Sequence, residues 1–387
     1  MPTADELLGA GVALRLAEVM GRAVPGNGFA ATSASVAELG PLSLRQRSDL
    51  LKDALLSDLP GSAAALDAAI RSALSDAAFT GWMIWPVTEA VTSRALEART
   101  GFEGGSRGGS GSGSGSSADA DSTFDAAMVL LADLTPRLTA EFAIRPLLEA
   151  DLGRALPIIR SWSQSPNEHV RRLASEGTRA FLPWAKRVQA LLAQPESTLP
   201  IITALYRDES EYVRRSVANH LNDLSRQNPD LAARVAAEWM HSPDQNTPKL
   251  VRHAMRSLIK KGHPAALALF GFAEAHGVEV SGLTLGASAV AVGGELPFAV
   301  TLTNPTAAPV KLVVDYIVHH RKANGSQTAK VFKLQALTLD ALQSVTLTRR
   351  HSFKRITTRV YHPSAHAIEV QVNGSASGRS AFTLTAD

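Results

Sequence analysis

The 387-residue sequence contains no cysteine. This absence excludes disulfide bonds, thiolate nucleophiles and cysteine–zinc sites together. No run of about 18 uninterrupted apolar residues occurs, and the sequence therefore predicts no membrane-spanning helix. The N-terminus reads MPTADE, which lacks the basic start and apolar stretch of a secretory signal. We therefore expect a cytoplasmic protein with no membrane partner.

Motifs for common cofactors and metals are also missing. The sequence contains no phosphate-binding loop, no dinucleotide fingerprint and no HExxH zinc motif. His319-His320 is a tempting metal pair, but adjacent residues on a strand face opposite ways and ligate one ion poorly. We expect no metal and no cofactor, and function must then depend on polar side chains scattered over the fold.

Charge is unevenly distributed along the chain. Residues 1–136 carry 9 Lys and Arg against 16 Asp and Glu, residues 137–272 carry 19 against 13, and residues 281–387 carry 11 against 5. The two basic segments are compatible with a phosphate-backbone partner, although a solvated surface would give the same counts.

The composition of the first third predicts helices followed by a flexible segment. Residues 1–103 show apolar positions at helical spacing, for example over 4–20 and 42–56. Residues 104–122 are dominated by Gly and Ser, which cannot bury apolar area. We predict a disordered loop there.

An internal repeat occupies residues 123–276. Val-Arg pairs begin at Val170, Val213 and Val251, each after a polar or proline-bearing segment and before an apolar helix. Spacings of about 40 residues are typical of paired-helix HEAT-type repeats, which stack into a curved solenoid. The arginines at these helix starts would line one side of it: Arg171, Arg172, Arg214, Arg215 and Arg252. They would either follow DNA phosphates or pair with acids.

Residues 277–387 change to the pattern of short strands. About seven segments of alternating apolar residues are separated by Gly and Asn-Gly turns, which predicts a small immunoglobulin-like sandwich. A local basic cluster there is a candidate DNA contact: Arg349, Arg350, Lys354 and Arg355. The fold class is therefore mainly α, a helical-repeat solenoid followed by an all-β sandwich.

Four blocks in order carry a family resemblance. LTAEFAIRP at 138–146, VRRLASEG at 170–177, LPWA at 182–185 and YVRRSVANHLND at 212–223 resemble the AlkC-type DNA alkylation repair glycosylases. These are HEAT-like repeat enzymes related to the AlkD type. The resemblance covers roughly residues 1–272, and the sandwich resembles an immunoglobulin-like appendage found on a subset of the family.

The resemblance implies a monomeric, monofunctional glycosylase acting on double-stranded DNA that contains alkylated bases. It implies 3-methyladenine as substrate, with 3-methylcytosine and 1-methyladenine as further candidates. An N3-methylated adenine is cationic and already a good leaving group. The protein then needs a carboxylate beside the oxocarbenium-like sugar, where it can also guide a water.

Glu141 is the best candidate for this carboxylate. We expect it in a largely apolar helix, where an acid without a role would be costly. The alternative is a plain pair with Arg145 four residues on. Arg172 and Glu176 share one helix and could orient Glu141, bind a phosphate, or form a surface ion pair.

Four other polar or aromatic residues complete the candidates. Trp184 could offer its indole face to a cationic base, or lie in the core. Asn219 and Asn222, with neighbouring Asp223, could touch DNA or cap a helix.

Two interpretations of the whole chain therefore stay open. The first is the glycosylase. The second is a non-enzymatic HEAT-repeat scaffold that binds DNA or protein, in which Glu141 would lie in a structural salt bridge.

Overall fold

The computed structural model describes residues 3–105, 117–272, 277–357 and 359–386. Contacts divide the chain into two compact units. Unit 1 comprises Met1–Leu224 with Asp244–Leu250, and unit 2 comprises Ser225–Pro243 with Val251–Asp387. The chain is mainly helical with a C-terminal all-β part, as the sequence predicts.

Short and medium helices build unit 1, with 3-10 turns at Ser35–Glu38 and Gly81–Met83. The helices are α1 (Ala4–Leu8), α2 (Ala10–Ala23), α3 (Ala30–Ala34), α4 (Leu44–Asp58), α5 (Ala63–Ala73), α6 (Ile84–Gly105), α7 (Ser117–Leu134), α8 (Ile144–Ala150), α9 (Leu152–Trp162), α10 (Glu168–Glu176), α11 (Gln189–Ala193), α12 (Leu199–Leu205) and α13 (Glu211–Leu224). Later in the chain come α14 (Pro229–His241), α15 (Thr247–Ala254), α16 (Arg256–Lys260) and α17 (Pro264–Ala268).

Helical structure enters the predicted Gly/Ser loop from both sides. Helix α6 continues to Gly105 and α7 begins at Ser117. The prediction of a loop over 104–122 is therefore wrong at its two edges, where helical structure continues. Residues 106–116 lie outside the described residues.

The three repeat segments each start a helix. Helices α10, α13 and α15 begin just before Val170, Val213 and Val251. An Asn or Asp precedes each helix and accepts a hydrogen bond at 2.9 Å from the amide two residues on: Asn167 from His169, Asp208 from Ser210, and Asp244 from Asn246. These side chains close the turn before each helix and fix where it begins.

Two sheets form the β part of unit 2. The strands are β1 (Glu279–Leu285), β2 (Ala289–Ala291), β3 (Glu295–Thr303), β4 (Val310–Arg321), β5 (Gln327–Leu339), β6 (Ser344–Ser352), β7 (Ser364–Val372) and β8 (Ser375–Thr385). One sheet has the order β1-β3-β6 and the other β2-β8-β7-β4-β5. Alternate residues of β3, such as Leu296 and Phe298, pack against β4 residues such as Tyr316 and Val318 in a common core. This is the inward–outward alternation of a sandwich.

Strand β5 is missing from the sequence prediction. It is an edge strand that pairs only with β4 in its sheet, and most of its residues are exposed. Its apolar residues Phe332, Leu334, Leu337 and Leu339 pack against the core. Their alternation breaks after Leu334, where the pairing with β4 shifts register, and an interrupted alternation weakens the strand signal. The turn that joins it to β4 contains Gly325 with φ of 79°, the conformation that the predicted Asn324-Gly325 turn requires.

Unit 2 begins earlier than the predicted β domain at 277–387. Leu267 and Phe272 at the end of the helical segment pack with Val313 of β4. Residues 273–276, which would form the junction, lie outside the described residues. Within the described part of the chain, none of the helices has the length and apolar character needed to cross a bilayer.

Candidate active site

Glu141 lies in a turn immediately before α8. Its Oε2 accepts a hydrogen bond from the Thr139 hydroxyl at 3.1 Å and a short one from Arg172 Nη1. Its Oε1 accepts no hydrogen bond from the described residues. The expectation that Glu141 lies inside a helix is wrong, because the chain turns at 141–143. The alternative of a plain pair with Arg145 is also wrong, because the partner is Arg172.

Arg172 joins two carboxylates. It leaves α10 towards Glu141, donates to Thr139 Oγ1 at 3.0 Å, and places Nη2 3.5 Å from Glu176 Oε1. The side chains of Arg172, Glu141 and Glu176 are only 15%, 12% and 8% exposed. The predicted pairing of Arg172 with Glu176 near Glu141 is therefore present, in a largely buried setting rather than as a surface ion pair.

The ion pairs continue inward from Glu176. Arg179 Nη1 donates to Glu176 Oε1 at 2.5 Å, and Arg179 Nε donates to Asp223 Oδ2 at 2.8 Å. The Ser216 hydroxyl donates to Glu176 Oε2 at 2.6 Å. Burial lowers the pKa of Arg179, but the carboxylates of Glu176 and Asp223 outweigh it and raise that pKa above its usual value.

Carboxylates and guanidiniums therefore alternate along one line: Glu141, Arg172, Glu176, Arg179, Asp223. The Asp223 end is the more buried, since the Asp223 side chain is only 1% exposed. Both oxygens of Glu176 are occupied by Arg179 and Ser216. Glu141 stands at the more exposed end and has an open oxygen.

A buried histidine connects two of the helices that carry these ion-paired residues. His220 of α13 has its pKa lowered to about 4, because burial penalises the charged ring. The neutral ring donates from Nδ1 to the Ser175 carbonyl at 2.9 Å, so Nε2 accepts from the Thr198 hydroxyl at 3.0 Å. This arrangement ties α13 to α10, the helix that carries Arg172 and Glu176.

Trp184 lies in the loop between α10 and α11 and is 96% exposed. Its φ of 62° lies in the left-handed region, which is rarely occupied by bulky residues. Leu182, two residues before Trp184, is buried and anchors the loop. The alternative of a core tryptophan is wrong, because nearly the whole indole is in solvent.

The arginines of the first two repeat motifs differ in environment. Arg171 is buried, with Nε and Nη2 on Asp208 at 2.7 and 3.0 Å. Arg214 donates to the carbonyls of Asp208 and Glu209 at 2.5 and 2.8 Å. Arg215 has a 68% exposed side chain that lies 3.6 Å from Glu211. Only Arg215 of these three projects mainly into solvent; DNA contact by any of them stays a prediction.

Asn219, Asn222 and Asp223 all lie inside α13. None stands at the N-terminus of α13, where Asn and Asp side chains cap, so none of them N-caps the helix that carries it. Asn222 is buried, whereas Asn219 is part-exposed.

The predicted basic residues of unit 2 are exposed. Arg252 lies over the Phe270 ring at 4.7 Å. Arg349 and Arg350 are neighbours on β6 and therefore leave opposite faces of the strand. Lys354 and Arg355 follow β6, next to Ile356, which is also exposed.

Sequence reasoning did not single out Arg179 or Tyr212, and it named Asp223 without its ion-pair role. Arg179 and Asp223 extend the line of ion pairs, and Tyr212 lies with its ring 5.2 Å from the Arg172 guanidinium. Spacing offered one clue, since Arg179 stands three residues after Glu176. Asp223 is 44 residues from Arg179, a separation that no helical periodicity links.

Known proteins match both parts of the chain. The family model "DNA alkylation repair enzyme" matches residues 138–258, and "Uncharacterised protein YhaZ, C-terminal Ig-like domain" matches residues 279–386. Protein YhaZ of Bacillus subtilis strain 168 is 38% identical over 251 residues, which are 65% of this chain and 70% of that protein. A solved structure of Pseudomonas fluorescens alkylpurine DNA glycosylase AlkC, bound to DNA containing an abasic site analog, aligns with a TM-score of 0.79. It is 32% identical and covers 99% of each chain.

Proposed function

Because the chain belongs to the AlkC-type family of DNA alkylation repair proteins, we propose that it is a DNA glycosylase for cationic alkylated bases. It hydrolyses the N-glycosidic bond of 3-methyladenine, with 3-methylcytosine and 1-methyladenine as further substrates. One observation carries the proposal: the Glu141 carboxylate is fixed through Oε2 by Arg172 and Thr139, while Oε1 is open.

The chemistry needs little acid catalysis. The alkylated base is positively charged, so the electron pair of the C1′–N bond leaves with the base and makes it neutral. The sugar becomes oxocarbenium-like, and a fixed carboxylate stabilises that charge more than it stabilises the ground state. Water then adds to C1′ and loses a proton to Glu141 Oε1, which yields an abasic site and the free base.

Arg172 and Glu176 act on Glu141 rather than on the bond that breaks. Arg172 holds Glu141 in place, and Glu176 holds Arg172 through the 3.5 Å contact. Preorganised groups of this kind cost no reorganisation when the charge develops. The reaction then depends on the line of ion pairs keeping its geometry.

Trp184 supplies contact with the lesion. A π face attracts a cation more than a neutral base, which favours alkylated over normal bases. The 96% exposure of Trp184 and its left-handed backbone support this role, because an aromatic side chain held in solvent at the cost of backbone strain is typical of a binding residue.

Double-stranded DNA is the partner, bound by a monomer along HEAT-like repeats. Arg214, Arg215 and Arg252 contact phosphates, and Asn219 contributes a polar contact. The exposure of Arg215 and Arg252 supports this assignment. Arg171 and Asn222 are buried, which favours a supporting role for both.

The β sandwich provides a second DNA contact. Arg349, Arg350, Lys354 and Arg355 are all exposed, and exposed Lys and Arg are favoured beside phosphates and in the minor groove. We call this second contact the clamp role of the sandwich. The simpler alternative is that these four residues form a basic edge that contacts only solvent.

The scaffold alternative draws on the same ion pair. A non-enzymatic repeat protein would use Glu141 and Arg172 only to hold its helices together. The open Oε1 and the exposed Trp184 favour the enzyme, because neither contributes to packing.

The decisive experiment measures base release from methylated duplex DNA. The full-length protein is incubated with the DNA in buffer containing EDTA, and free 3-methyladenine and abasic sites are quantified. We expect base release that requires Glu141 and leaves no protein trapped on DNA by borohydride. Tight DNA binding with no base released would reject the enzyme in favour of the scaffold.

A further inference from the structure

One short helix fastens the loop that carries Trp184. Residues 177–188 connect α10 to α11, and three of their carbonyls accept hydrogen bonds from one side chain of α8. Glu141 precedes α8 by three residues. Whatever fixes the loop to α8 therefore also fixes Trp184 relative to Glu141.

Arg145 of α8 reaches both ends of the loop. Its Nη1 donates to the carbonyls of Gly177 and Arg179 at 3.1 and 2.8 Å, and its Nε donates to the carbonyl of Lys186 at 2.9 Å. The residue is 4% exposed. Burial, followed by repulsion from Arg179, lowers its pKa to about 10, so the guanidinium is still charged at neutral pH. A buried cation that bonds three carbonyls holds a backbone segment strongly.

Glu149 holds the far end of the same loop. Its Oε2 accepts from the amide of Gln189 at 2.7 Å and contacts the amide of Ala190 at 3.4 Å. These amides open α11, where helical amides lack partners inside the helix. A carboxylate at that position bonds the unpaired amides and complements the positive end of the helix dipole.

Gly177 allows α10 to end directly against α8. A Cβ at this position would stand 2.2 Å from Ile144 Cδ1 and 3.1 Å from the Leu173 carbonyl oxygen. The first contact is far below van der Waals distance, and Ile144 is fully buried with little room to move. Glycine is therefore required where the loop leaves α10.

We propose that α8 is the positioning element of the active site, and that Arg145 and Glu149 are positioning residues that hold Trp184 in register with Glu141. Neither touches the DNA base or sugar. They act by fixing the loop, so that the exposed indole does not depend on its own packing for its position. The catalytic consequence rests on the proposed glycosylase function, whereas the fixing of the loop does not.

Glu149 offers the cleaner variant, because it is exposed and its loss removes no buried charge. Glu149→Ala should lower the single-turnover rate of base release about tenfold, as a loosened catalytic geometry does, with DNA affinity unchanged. Glu149→Gln keeps an acceptor oxygen and should recover most of the rate. Glu38→Ala is the matched charge control, because the Glu38 side chain is exposed and makes no hydrogen bond with the described residues.

A double-mutant cycle separates positioning from general weakening. If Glu149 acts through Trp184, adding Glu149→Ala to Trp184→Ala should cost no further rate. Equal slowing in both backgrounds would overturn the proposal, as would a Glu149→Ala variant with the wild-type rate.

Proteolysis tests the loop without any DNA. Lys186 and Arg187 are exposed trypsin sites within it. Glu149→Ala should speed tryptic cleavage there about fivefold or more, because cleavage follows local opening, while Glu38→Ala should not. Unchanged cleavage would refute the proposal that Glu149 holds the loop. If the wild type releases no base, the glycosylase proposal fails, and the trypsin result alone then decides whether α8 holds the loop.

Discussion

Arg172 Nη1 donates to one oxygen of Glu141 and leaves the other without a hydrogen bond from the described residues. The pair therefore differs from a purely structural ion pair, in which both carboxylate oxygens are commonly used. One oxygen fixes the orientation and the other is available to a water or to the sugar. Because the two oxygens have different roles, a carboxylate paired with arginine is still suited to catalysis.

Replacing Glu141 by Gln tests that division. The amide keeps the shape and one acceptor oxygen but removes the negative charge that stabilises an oxocarbenium-like sugar. We expect DNA binding close to wild type and a single-turnover rate lower by about 100-fold or more. The measurement is release of 3-methyladenine from methylated duplex DNA, together with DNA affinity.

The control for this variant is Glu38→Ala, which removes an exposed charge of the same sign. A Glu141→Gln protein that matches wild type in rate would show that Glu141 only supports the fold. A protein that loses DNA binding and rate together would instead assign it to binding.

Its apolar neighbours singled out Glu141, whereas the pairing with Arg172 was suggested only after the family resemblance. The acid was conspicuous because its neighbours are apolar, a local property that a sequence displays directly. Arg172 is 31 residues away, and only the tertiary fold brings α10 beside the turn that holds Glu141. The helical expectation for 141–143 failed for a local reason, since the Thr139 hydroxyl accepts a hydrogen bond from the Glu141 amide at 3.3 Å and closes a turn there.

Residues that look equivalent in the sequence also differ in burial and in bonding partners, which only the tertiary fold determines. Arg171 and Arg172 are adjacent and identical in type, yet one bonds Asp208 and the other bonds Glu141. For Trp184, residue type favoured the core, and only the loop conformation places it in solvent. The broad class was easier, because helical periodicity and strand alternation are local signals.

Exposed repeat arginines should control salt dependence. Changing Arg215 or Arg252 to Ala should weaken DNA binding on any sequence and reduce the slope of log affinity against log salt by about 1 for each phosphate that is no longer neutralised. Arg71→Ala, at an exposed arginine of α5 that pairs with Asp67 and Asp133, serves as the control. Slopes that stay at the wild-type value in both variants would exclude these two residues from the phosphate-binding surface.

Arg171 should instead control stability. Its removal leaves Asp208 without its ion-pair partner in a largely buried site, and breaking such a pair costs about 3 kcal/mol in unfolding free energy. Urea unfolding of Arg171→Ala should show this decrease, while Glu209→Ala, at a residue that is 88% exposed, should change the free energy by less than about 0.5 kcal/mol. An Arg171→Ala protein that is as stable as wild type but binds DNA poorly would restore a direct DNA role.

Buried histidines should make the β sandwich sensitive to acid. Burial lowers the pKa of His320 to about 3 and that of His351 to about 4, and the nearby charges of Arg359 and Lys330 act in the same direction. The folded pKa values lie below the unfolded value of about 6.5. The unfolded chain therefore binds more protons between these values, and stability is fully present above pH 6.5 and is lost as pH falls towards 4.

The check is the melting temperature of the full chain at pH about 7.5 and about 5, the window in which the unfolded histidines become charged. His351→Phe preserves ring packing against Phe332 and Phe353, which lie 4.8 Å away, and should reduce the decrease at low pH. His169→Phe, at an exposed histidine, should leave it unchanged. An equal decrease in all three proteins would assign the acid sensitivity elsewhere.

The clamp role of the sandwich is best tested by charge reversal in the full chain. Removing residues 278–387 would also uncover Phe272 and Leu267, which pack with Val313, and a loss of activity would then have two explanations. Arg350→Glu with Lys354→Glu changes only exposed side chains. If these residues hold DNA, the variant should bind duplex at least about tenfold more weakly, because two phosphate contacts become repulsive. Its melting temperature should stay at the wild-type value.

Arg379→Glu on β8 supplies the same kind of charge change away from the cluster and should bind normally. Full affinity in the double variant would leave the basic cluster as a solvated edge. Arg379→Glu changes the net charge half as much as the double variant, so a loss half as large in log affinity would assign the effect to net charge alone.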